Sequence, residues 1–217
     1  MNTIFITGIG TDVGKTIAAA ILTEALQADY WKPIQAGYNE GTDSEFVRSV
    51  ISNAKTIIHP ETYKLKLAAS PHIAAKKEGI KIDLNKIEED YFKIGQRSTA
   101  NSQQSLIVEG AGGLLVPLNE DEFVIDLIKM LDAKVVLVSR NYLGSINHSL
   151  LTATVCKQHK LNVLGWIFND DYMNYENEIV EWSGYPKIAS ILFTQKIDAE
   201  FIYEQAALIK ANLQSAL

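Results

Sequence analysis

The sequence is poor in cysteine, in long apolar runs and in excess positive charge. Its single cysteine, Cys156, excludes an internal disulfide framework and a cysteine metal cluster. No apolar run approaches the roughly 18 residues of a membrane-spanning helix. Because 26 Asp and Glu outnumber 20 Lys and Arg, the formal net charge is −6, which argues against nucleic acid or an anionic membrane as the main partner.

The first residues also lack a basic stretch followed by a hydrophobic segment, so no secretory signal peptide is expected. The length of 217 residues suits one large domain or two small ones, and no linker, repeat or low-complexity tract divides it. Apolar residues make up 47%, enough for a sizeable core. We therefore expect a cytoplasmic protein with one domain over residues 1–217, and a core position for Cys156 rather than a reactive one.

What the sequence does have is a glycine-rich stretch at residues 8–16, Gly-Ile-Gly-Thr-Asp-Val-Gly-Lys-Thr. It follows the apolar run at 4–6 and opens a helical pattern over 16–26. This context is typical of a phosphate-binding loop, because glycines let backbone N–H groups point at an anion and a helix N-terminus adds donors. The loop is one residue longer than the common form, since Gly8 and not Ile9 supplies the first glycine. The alternative is a plain glycine turn with a solvated lysine.

In a phosphate-binding loop each polar side chain has a defined partner. Lys15 would reach the terminal phosphates of ATP, and the Thr16 hydroxyl would bind Mg²⁺. The other loop residues expected to contact the nucleotide are Gly10, Thr11, Asp12, Val13 and Gly14.

Strand and helix patterns alternate along the chain. Strands are predicted at residues 4–7, 30–35, 105–108, 134–138, 163–168 and 187–191. Helices are predicted at 16–26, from a cap at Asp43 or Ser44 to about 53, at 71–75, 83 to about 99, 123–131, 145–159, 174–182 and 199–213. This alternation predicts an α/β fold, a three-layer parallel sheet with helices on both faces, of the P-loop nucleoside triphosphate hydrolase type.

Unusual polar residues follow three of the predicted strands, in addition to the loop after the first. They are Lys32, Glu109 and Asn169. Because ligands in such folds bind at the carboxyl ends of the strands, we expect these residues to converge on one cleft.

By these motifs the chain resembles the dethiobiotin synthetases over nearly its whole length. A single motif would be weak, but eight in the right order and spacing are specific. The matching stretches are residues 8–16, 32–33, 43, 69–75, 109–114, 116–118, 143–148 and 165–170.

The resemblance implies an ATP- and Mg²⁺-dependent carboxylation and ring closure. In this family 7,8-diaminononanoate and CO₂ form a carbamate, ATP phosphorylates it, and the second amine closes the cyclic urea of dethiobiotin. The family members are homodimers with substrate near the subunit interface. The partners implied are therefore small molecules and a second copy of the chain, with no nucleic acid and no membrane.

The resemblance also implies residue roles. Lys32 would face the carbamate and the transferred phosphate, and Thr11 would touch the carbamate. Asp43 and Glu109 would hold the metal together with Thr16. Without the family, Lys32 reads equally well as a surface lysine and Asp43 as a helix cap.

Further roles concern the nucleotide and the second subunit. Asn169 would read adenine, although Asn-Asp is also a common turn pair. Gly110 and Gly112 would let the backbone approach the nucleotide, or form a plain loop. Leu143 and Asn147 would meet the substrate of the other subunit. The two other family-motif side chains, His72 and His148, read as structural, since this mechanism needs no histidine base.

The sequence departs from the family pattern in two places. Ala36 replaces a serine or threonine, so substrate contact there must use backbone, water or Gln35. Near the last strand, residues 189–193 replace a Gly-x-Ile-Pro motif that flanks the base, and Phe193 is left to pack on a purine.

Four other functions compete with this interpretation. A switch ATPase of the partitioning or septum-positioning type shares the fold, but usually carries a second lysine near the start of the loop, where this chain has Gly8, Ile9 and Gly10. A GTPase would need an Asn-Lys-x-Asp stretch, which is absent. An amidotransfer synthetase would need a glutaminase domain that 217 residues cannot hold. An inactive scaffold would not need the intact Lys15 and Lys32.

Overall fold

The structure is a computed structural model that describes residues 1–98 and 105–216. Seven strands form a parallel sheet in the order β4-β2-β6-β1-β7-β8-β9, and β3 and β5 form a separate parallel pair. The strands are β1 (Asn2–Gly8), β2 (Asp29–Trp31), β3 (Ile34–Ala36), β4 (Ile58–His59), β5 (Tyr63–Leu65), β6 (Ser105–Glu109), β7 (Lys134–Arg140), β8 (Val163–Asn169) and β9 (Lys187–Ile191).

Helices connect most of the successive strands, as parallel strands require, whereas β2 joins β3 and β4 joins β5 without a helix. The helices are α1 (Lys15–Leu26), α2 (Asp43–Val50), α3 (Pro71–Lys77), α4 (Leu84–Ser98), α5 (Val124–Met130), α6 (Ser145–Gln158), α7 (Glu176–Ser183) and α8 (Ala199–Ala216).

Two hydrophobic cores lie on opposite faces of the sheet. Alternate residues of β1 separate cleanly, with Ile4 and Ile6 in one core and Phe5 in the other, because successive strand side chains point to opposite faces. The core that contains Ile4 and Ile6 packs against α1, α2 and α8, and the core that contains Phe5 packs against α3 to α7. The predicted three-layer α/β fold is confirmed. Burial raises the pKa of the Cys156 thiol to about 12, which agrees with its predicted core position.

Three predictions of local structure need correction. The stretch 30–35 is not one strand, because the backbone leaves the sheet at Lys32 and Pro33 and resumes as β3 beside β5. The short strands β4 and β5 were not predicted at all.

The third correction concerns the cap of α2, which is Thr42 and neither Asp43 nor Ser44. The Glu45 backbone N–H donates to Thr42 Oγ1 (3.1 Å) and Thr42 N–H donates to Glu45 Oε2 (2.9 Å). This reciprocal capping box satisfies two orphan donors. It therefore leaves the Asp43 carboxylate free for another partner. The predicted end of the fourth helix, residue 99, lies outside the described residues.

Within the described ranges, no helix is both long and apolar enough to cross a membrane.

Candidate active site

The carboxyl ends of the central strands converge on two adjoining cavities and not on the single cleft that the sequence predicted, because Lys32 and Glu109 line one cavity and Asn169 lines the other. The residues that follow β1, β2 and β6 border one cavity of about 780 Å³. A second cavity of about 200 Å³ adjoins it at the ends of β8 and β9. Asp12, Gly14 and Ile17 line both, so the two cavities meet at the phosphate-binding loop.

The loop between β1 and α1 has the geometry of a phosphate cradle. Gly14 caps α1 in the left-handed region (φ 89°), and Asp12 also has positive φ (56°). Lys15 folds back so that its Nζ donates to the Gly10 carbonyl oxygen at 2.7 Å. Burial lowers the pKa of Lys15, although the Glu109 carboxylate opposes this shift. Thr11, Gly14, Lys15 and Thr16 all line the larger cavity, whereas Val13 lines the smaller one.

Lys32 lies between the two carboxylates that the sequence singled out. Its Nζ donates to Glu109 Oε1 at 2.8 Å and also to Asp43 Oδ2. Burial opposes the charged form of Lys32, but the Glu109 and Asp43 carboxylates together outweigh it and raise the pKa. The side chain of Lys32 is therefore a buried, charged group and not a surface lysine.

Glu109 is the most completely bound group of the site. Thr16 Oγ1 and Lys32 Nζ each donate to its Oε1 at 2.8 Å, and the Tyr30 hydroxyl donates to its Oε2 at 2.8 Å. Only 1% of the residue is exposed. Three donors compensate for the loss of hydration of a buried carboxylate.

Asp43 is held less tightly, at the first residue of α2. Its backbone N–H donates to Gln35 Oε1 at 3.1 Å, and Gln35 Nε2 donates to the Gly37 carbonyl oxygen at 2.8 Å. Gln35 therefore connects the turn after β3 to the start of α2. Each end of its amide makes one hydrogen bond, so Gln35 supports the site, and it keeps a second N–H and a second lone pair for a substrate beside Ala36.

The donor set fits Mg²⁺. Asp43, Glu109 and Thr16 supply hard oxygen atoms, and a cation, the Lys32 ammonium, already lies between the two carboxylates. Among the described residues no group of three or more His, Cys, Asp or Glu side chains could hold a metal alone. Mg²⁺ in proteins is commonly held by one or two carboxylates and by substrate phosphates. The site has this composition.

The smaller cavity lies beside the loop, at the ends of β8 and β9. Asn169 Nδ2 donates to the Val13 carbonyl oxygen at 2.6 Å, so the asparagine joins the end of β8 to the loop. A Cβ atom on Gly14 would lie 2.1 Å from Asn169 Nδ2, which requires glycine there. Arg140 and Asp170 form an ion pair (3.1 Å) at the cavity wall. Leu192 and Phe193 complete the wall and are each 67% exposed.

The structure does not bring every predicted residue into these cavities. Gly112 lines the larger one, but Gly110 lines neither, and a Cβ there would lie 2.6 Å from the Phe5 ring. Leu143 and Asn147 are exposed and line neither cavity.

The two histidines of the family motifs, His72 and His148, also line neither cavity. His72 Nδ1 lies 3.0 Å from Ser70 Oγ, and the ring of His148 lies against Tyr142.

Sequence reasoning missed Tyr30, and it missed the role of Gln35. The only available signal for Tyr30 was a polar tip in an otherwise apolar strand, next to Lys32. Its contact with Glu109 depends on the register between β2 and β6.

Comparisons with known proteins bear on the family and the fold. A family model described as an AAA domain matches residues 2–200. The ATP-dependent dethiobiotin synthetase of Cytophaga hutchinsonii is 47% identical over 214 residues, 98% of each chain. That of Christiangramia forsetii is 46% identical over 167 residues, 77% of this chain and 75% of the relative.

Solved structures agree on the fold. The MinC:MinD cell division protein complex of Aquifex aeolicus has a TM-score of 0.60 at 15% identity and covers 99% of this chain and 95% of its own. The septum site-determining protein MinD with Mg-ADP from Pyrococcus horikoshii has a TM-score of 0.59 at 15% identity. The match covers 100% of this chain and 98% of the MinD chain. These likenesses establish a P-loop α/β fold and nothing finer. The identity and coverage of the sequence relatives decide the family: this chain belongs to the ATP-dependent dethiobiotin synthetases.

Proposed function

We propose that this protein carboxylates 7,8-diaminononanoate with CO₂ and closes it to dethiobiotin, using ATP and Mg²⁺, in biotin biosynthesis. The observation that carries the proposal is the buried Lys32 ammonium between Asp43 and Glu109, in the same cavity as the phosphate-binding loop. Nucleotide binding alone needs the loop. Lys32 is a second buried cation, at the end of β2, and it could neutralise a further anion beside the terminal phosphate.

The chemistry has three steps. One amine of the substrate attacks CO₂ and loses a proton, which gives a carbamate. A carbamate oxygen then attacks the γ-phosphorus of ATP, which forms a carbamic-phosphoric anhydride and releases ADP. Finally the second amine attacks the carbonyl carbon, loses a proton and expels phosphate, which leaves the cyclic urea.

The middle step brings two anions together, so the site must neutralise and align them. On this proposal Lys15 holds the terminal phosphates, and Lys32 neutralises the carbamate oxygen and the transferred phosphoryl group. Thr11, which lines the cavity in the loop itself, orients the carbamate. Lys32 must release part of its contact with the two carboxylates to do so, and its raised pKa keeps it charged.

Asp43, Glu109 and Thr16 would hold Mg²⁺. When bound, Mg²⁺ would neutralise charge on the phosphate oxygens of ATP. The exposed wall of the smaller cavity, at Leu192 and Phe193, would pack against the base, and Asn169 would read it through its remaining amide oxygen. Gly112 belongs to the proposed nucleotide surface through its backbone, whereas Gly10 and Gly110 line neither cavity.

The proposal includes a homodimer in the cytoplasm, with residues 1–217 acting as one domain. Leu143 is 85% exposed and Asn147 is also exposed beside it, away from both cavities of their own chain. On this proposal the two residues meet the substrate bound by the second copy, as the family resemblance implies. Sedimentation equilibrium on the wild type and on Leu143→Asp tests this: a dimer that dissociates in the variant supports it, and a wild-type monomer contradicts it.

A switch ATPase of the partitioning or septum-positioning type is the alternative. Its support is limited to the shared fold, at 15% identity. Such ATPases usually carry their second lysine near the start of the loop, whereas the second buried lysine of this chain, Lys32, follows β2 and pairs with Asp43 and Glu109.

Release of ADP distinguishes the two. Purified protein receives ATP, Mg²⁺ and bicarbonate, with or without the diamine, and ADP is measured by a coupled assay. We expect ADP release that depends on the diamine. Turnover of ATP that ignores the diamine would overturn the synthetase proposal. The variant Lys93→Ala, a change at an exposed lysine of α4, is the matched control and should behave as wild type.

A further inference from the structure

The proposed chemistry gives no task to Tyr30, although its hydroxyl contacts the centre of the site. Tyr30 is completely buried in β2, and its hydroxyl donates to Glu109 Oε2 at 2.8 Å. It lines neither cavity. Its contact with the site is therefore through Glu109 alone.

The sheet register explains why this contact forms. Tyr30 of β2 lies opposite Ile107 of β6, and Glu109 follows two residues later on the same face. Tyr30 and Glu109 are thus diagonal neighbours, at a separation that an aromatic side chain can span (roughly 7–8 Å between backbones). The side chain of Tyr30 crosses this diagonal and places its polar tip on the carboxylate.

The two oxygens of Glu109 have different partners. Oε2 accepts from Tyr30, on the interior side, whereas Oε1 accepts from Thr16 and Lys32. Thr16, Lys32 and Glu109 all line the larger cavity. The hydrogen bond from Tyr30 therefore fixes the rotation of the Glu109 carboxylate. As a result, Oε1 faces Thr16 and the Lys32 ammonium.

We propose that Tyr30 is a positioning residue for the metal site, which orients Glu109 so that Oε1 is presented to the divalent cation beside Thr16. This inference rests on the proposed function, because it takes Glu109 as a ligand of Mg²⁺. Groups that hold a ligating carboxylate in place commonly change metal affinity by about 10- to 100-fold when they are removed.

The test measures how strongly Mg²⁺ tightens nucleotide binding. Calorimetry on the full chain gives the affinity for ADP with Mg²⁺ and with EDTA, for the wild type and for Tyr30→Phe. We expect Tyr30→Phe to lose about tenfold or more of the Mg²⁺-dependent gain, with the affinity in EDTA unchanged. Excess Mg²⁺ should recover the lost affinity, which a general packing defect would not.

Tyr91→Phe is the matched control. Its hydroxyl lies 2.7 Å from Thr3 Oγ1 and 3.5 Å from the Leu131 carbonyl oxygen, and Tyr91 lines neither cavity, so the variant also loses internal hydroxyl bonds. It should keep the full Mg²⁺-dependent gain. Should Tyr91→Phe lose as much as Tyr30→Phe, the positioning role is overturned.

Failure of this inference and failure of the proposed function give different results. A wild type whose ADP affinity ignores Mg²⁺ would overturn the metal part of the proposed function, and this inference with it. A wild type with a clear Mg²⁺ gain, matched by Tyr30→Phe, would overturn only the role of Tyr30.

A second pair of variants covers the case in which Tyr30→Phe does not fold. Tyr30→Phe would leave the charged Glu109 carboxylate without the Tyr30 donor. Glu109→Gln removes that charge, and the double variant combines Glu109→Gln with Tyr30→Phe. If Tyr30 acts only through the Glu109 carboxylate, both should show the same residual Mg²⁺ gain. A further loss in the double variant would contradict the inference.

Discussion

The two cavities on either side of the phosphate-binding loop are built in opposite ways. The larger one is enclosed by charged groups at strand ends, where Lys32 and Glu109 are almost fully buried and directly bonded. The smaller one ends in a loop after β9, where Leu192 and Phe193 are 67% exposed. The larger cavity is thus closed by buried ion pairs, whereas the smaller one combines an exposed apolar wall with the Arg140–Asp170 ion pair.

This difference indicates where precision matters. Phosphoryl transfer requires charges aligned along one direction, so the sheet and its ion pairs should determine the rate. Contact with a base requires only apolar area and one or two polar groups. Substitutions in the larger cavity should therefore have large effects, and those in the smaller one small effects.

The largest effect is expected at Lys32. Lys32→Ala should lower the rate of dethiobiotin formation by about 10³-fold, because it removes a charge that opposes the developing phosphoryl charge. Nucleotide affinity should largely persist. A product assay by mass spectrometry, with calorimetry for ADP, measures both.

Lys187→Ala is the control for this prediction. Lys187 pairs with the buried Glu176 at 3.3 Å and lines neither cavity. Its substitution therefore also removes a cation from a buried carboxylate, but outside the proposed site. Normal turnover in Lys32→Ala would make Lys32 a bystander and remove the proposed distinction between the cavities.

The next effect is expected at Lys15. Lys15→Ala should weaken ATP binding by about 10- to 100-fold, because a charge-assisted hydrogen bond to phosphate contributes about 1.5–3 kcal/mol. Calorimetry with Mg²⁺ and ATP measures the change. AMP, which lacks the terminal phosphates, should bind the variant and the wild type alike. Unchanged ATP affinity would argue against the phosphate-binding loop.

A smaller effect is expected at Asn169, which lines the smaller cavity beside the loop. Asn169→Ala removes the bond to the Val13 carbonyl oxygen and leaves the loop less firmly attached to β8. A typical hydrogen bond predicts about a threefold to tenfold loss of ADP affinity. A loss as large as that of Lys15→Ala would mean that the asparagine contributes more to base recognition than to the loop.

The smallest effect is expected at Phe193. Phe193→Ala should change ADP affinity by only about twofold, because substitutions at exposed positions usually stay within about 0.5 kcal/mol. Phe92→Ala is the matched control, an aromatic that is 60% exposed on α4. A tenfold loss at Phe193 alone would show that the smaller cavity is as precisely built as the larger one.

Most of the fold followed from the sequence where elements were long and periodic. β1, β6, β7 and β8 were predicted within about two residues because buried parallel strands are short, apolar and bounded by glycine or polar residues. β4 and β5 have two and three residues, too few to show a period. Their positions depend on pairing with β2 and β3, which local sequence does not specify.

The residues of the site were likewise predicted where the local sequence specifies them and missed where their role depends on tertiary structure. Glu109 was found because a charge at the end of an apolar strand is unusual. Lys32 was found through its match to the family motif, since the sequence alone reads it equally well as a surface lysine. Tyr30 was not found, because a tyrosine in a strand looks like core until the register places Glu109 beside it. Asp43 was assigned a possible capping role that Thr42 performs, since the choice between adjacent caps depends on backbone geometry.

The central claim is that cleavage of ATP in the larger cavity is coupled to carboxylation. The most direct measurement supplies ¹³C-bicarbonate with diamine, Mg²⁺ and limiting ATP, and compares ADP with ¹³C in the ring carbonyl by NMR. We predict one labelled ring carbon for each ADP formed. Formation of ADP without labelled product would contradict the account.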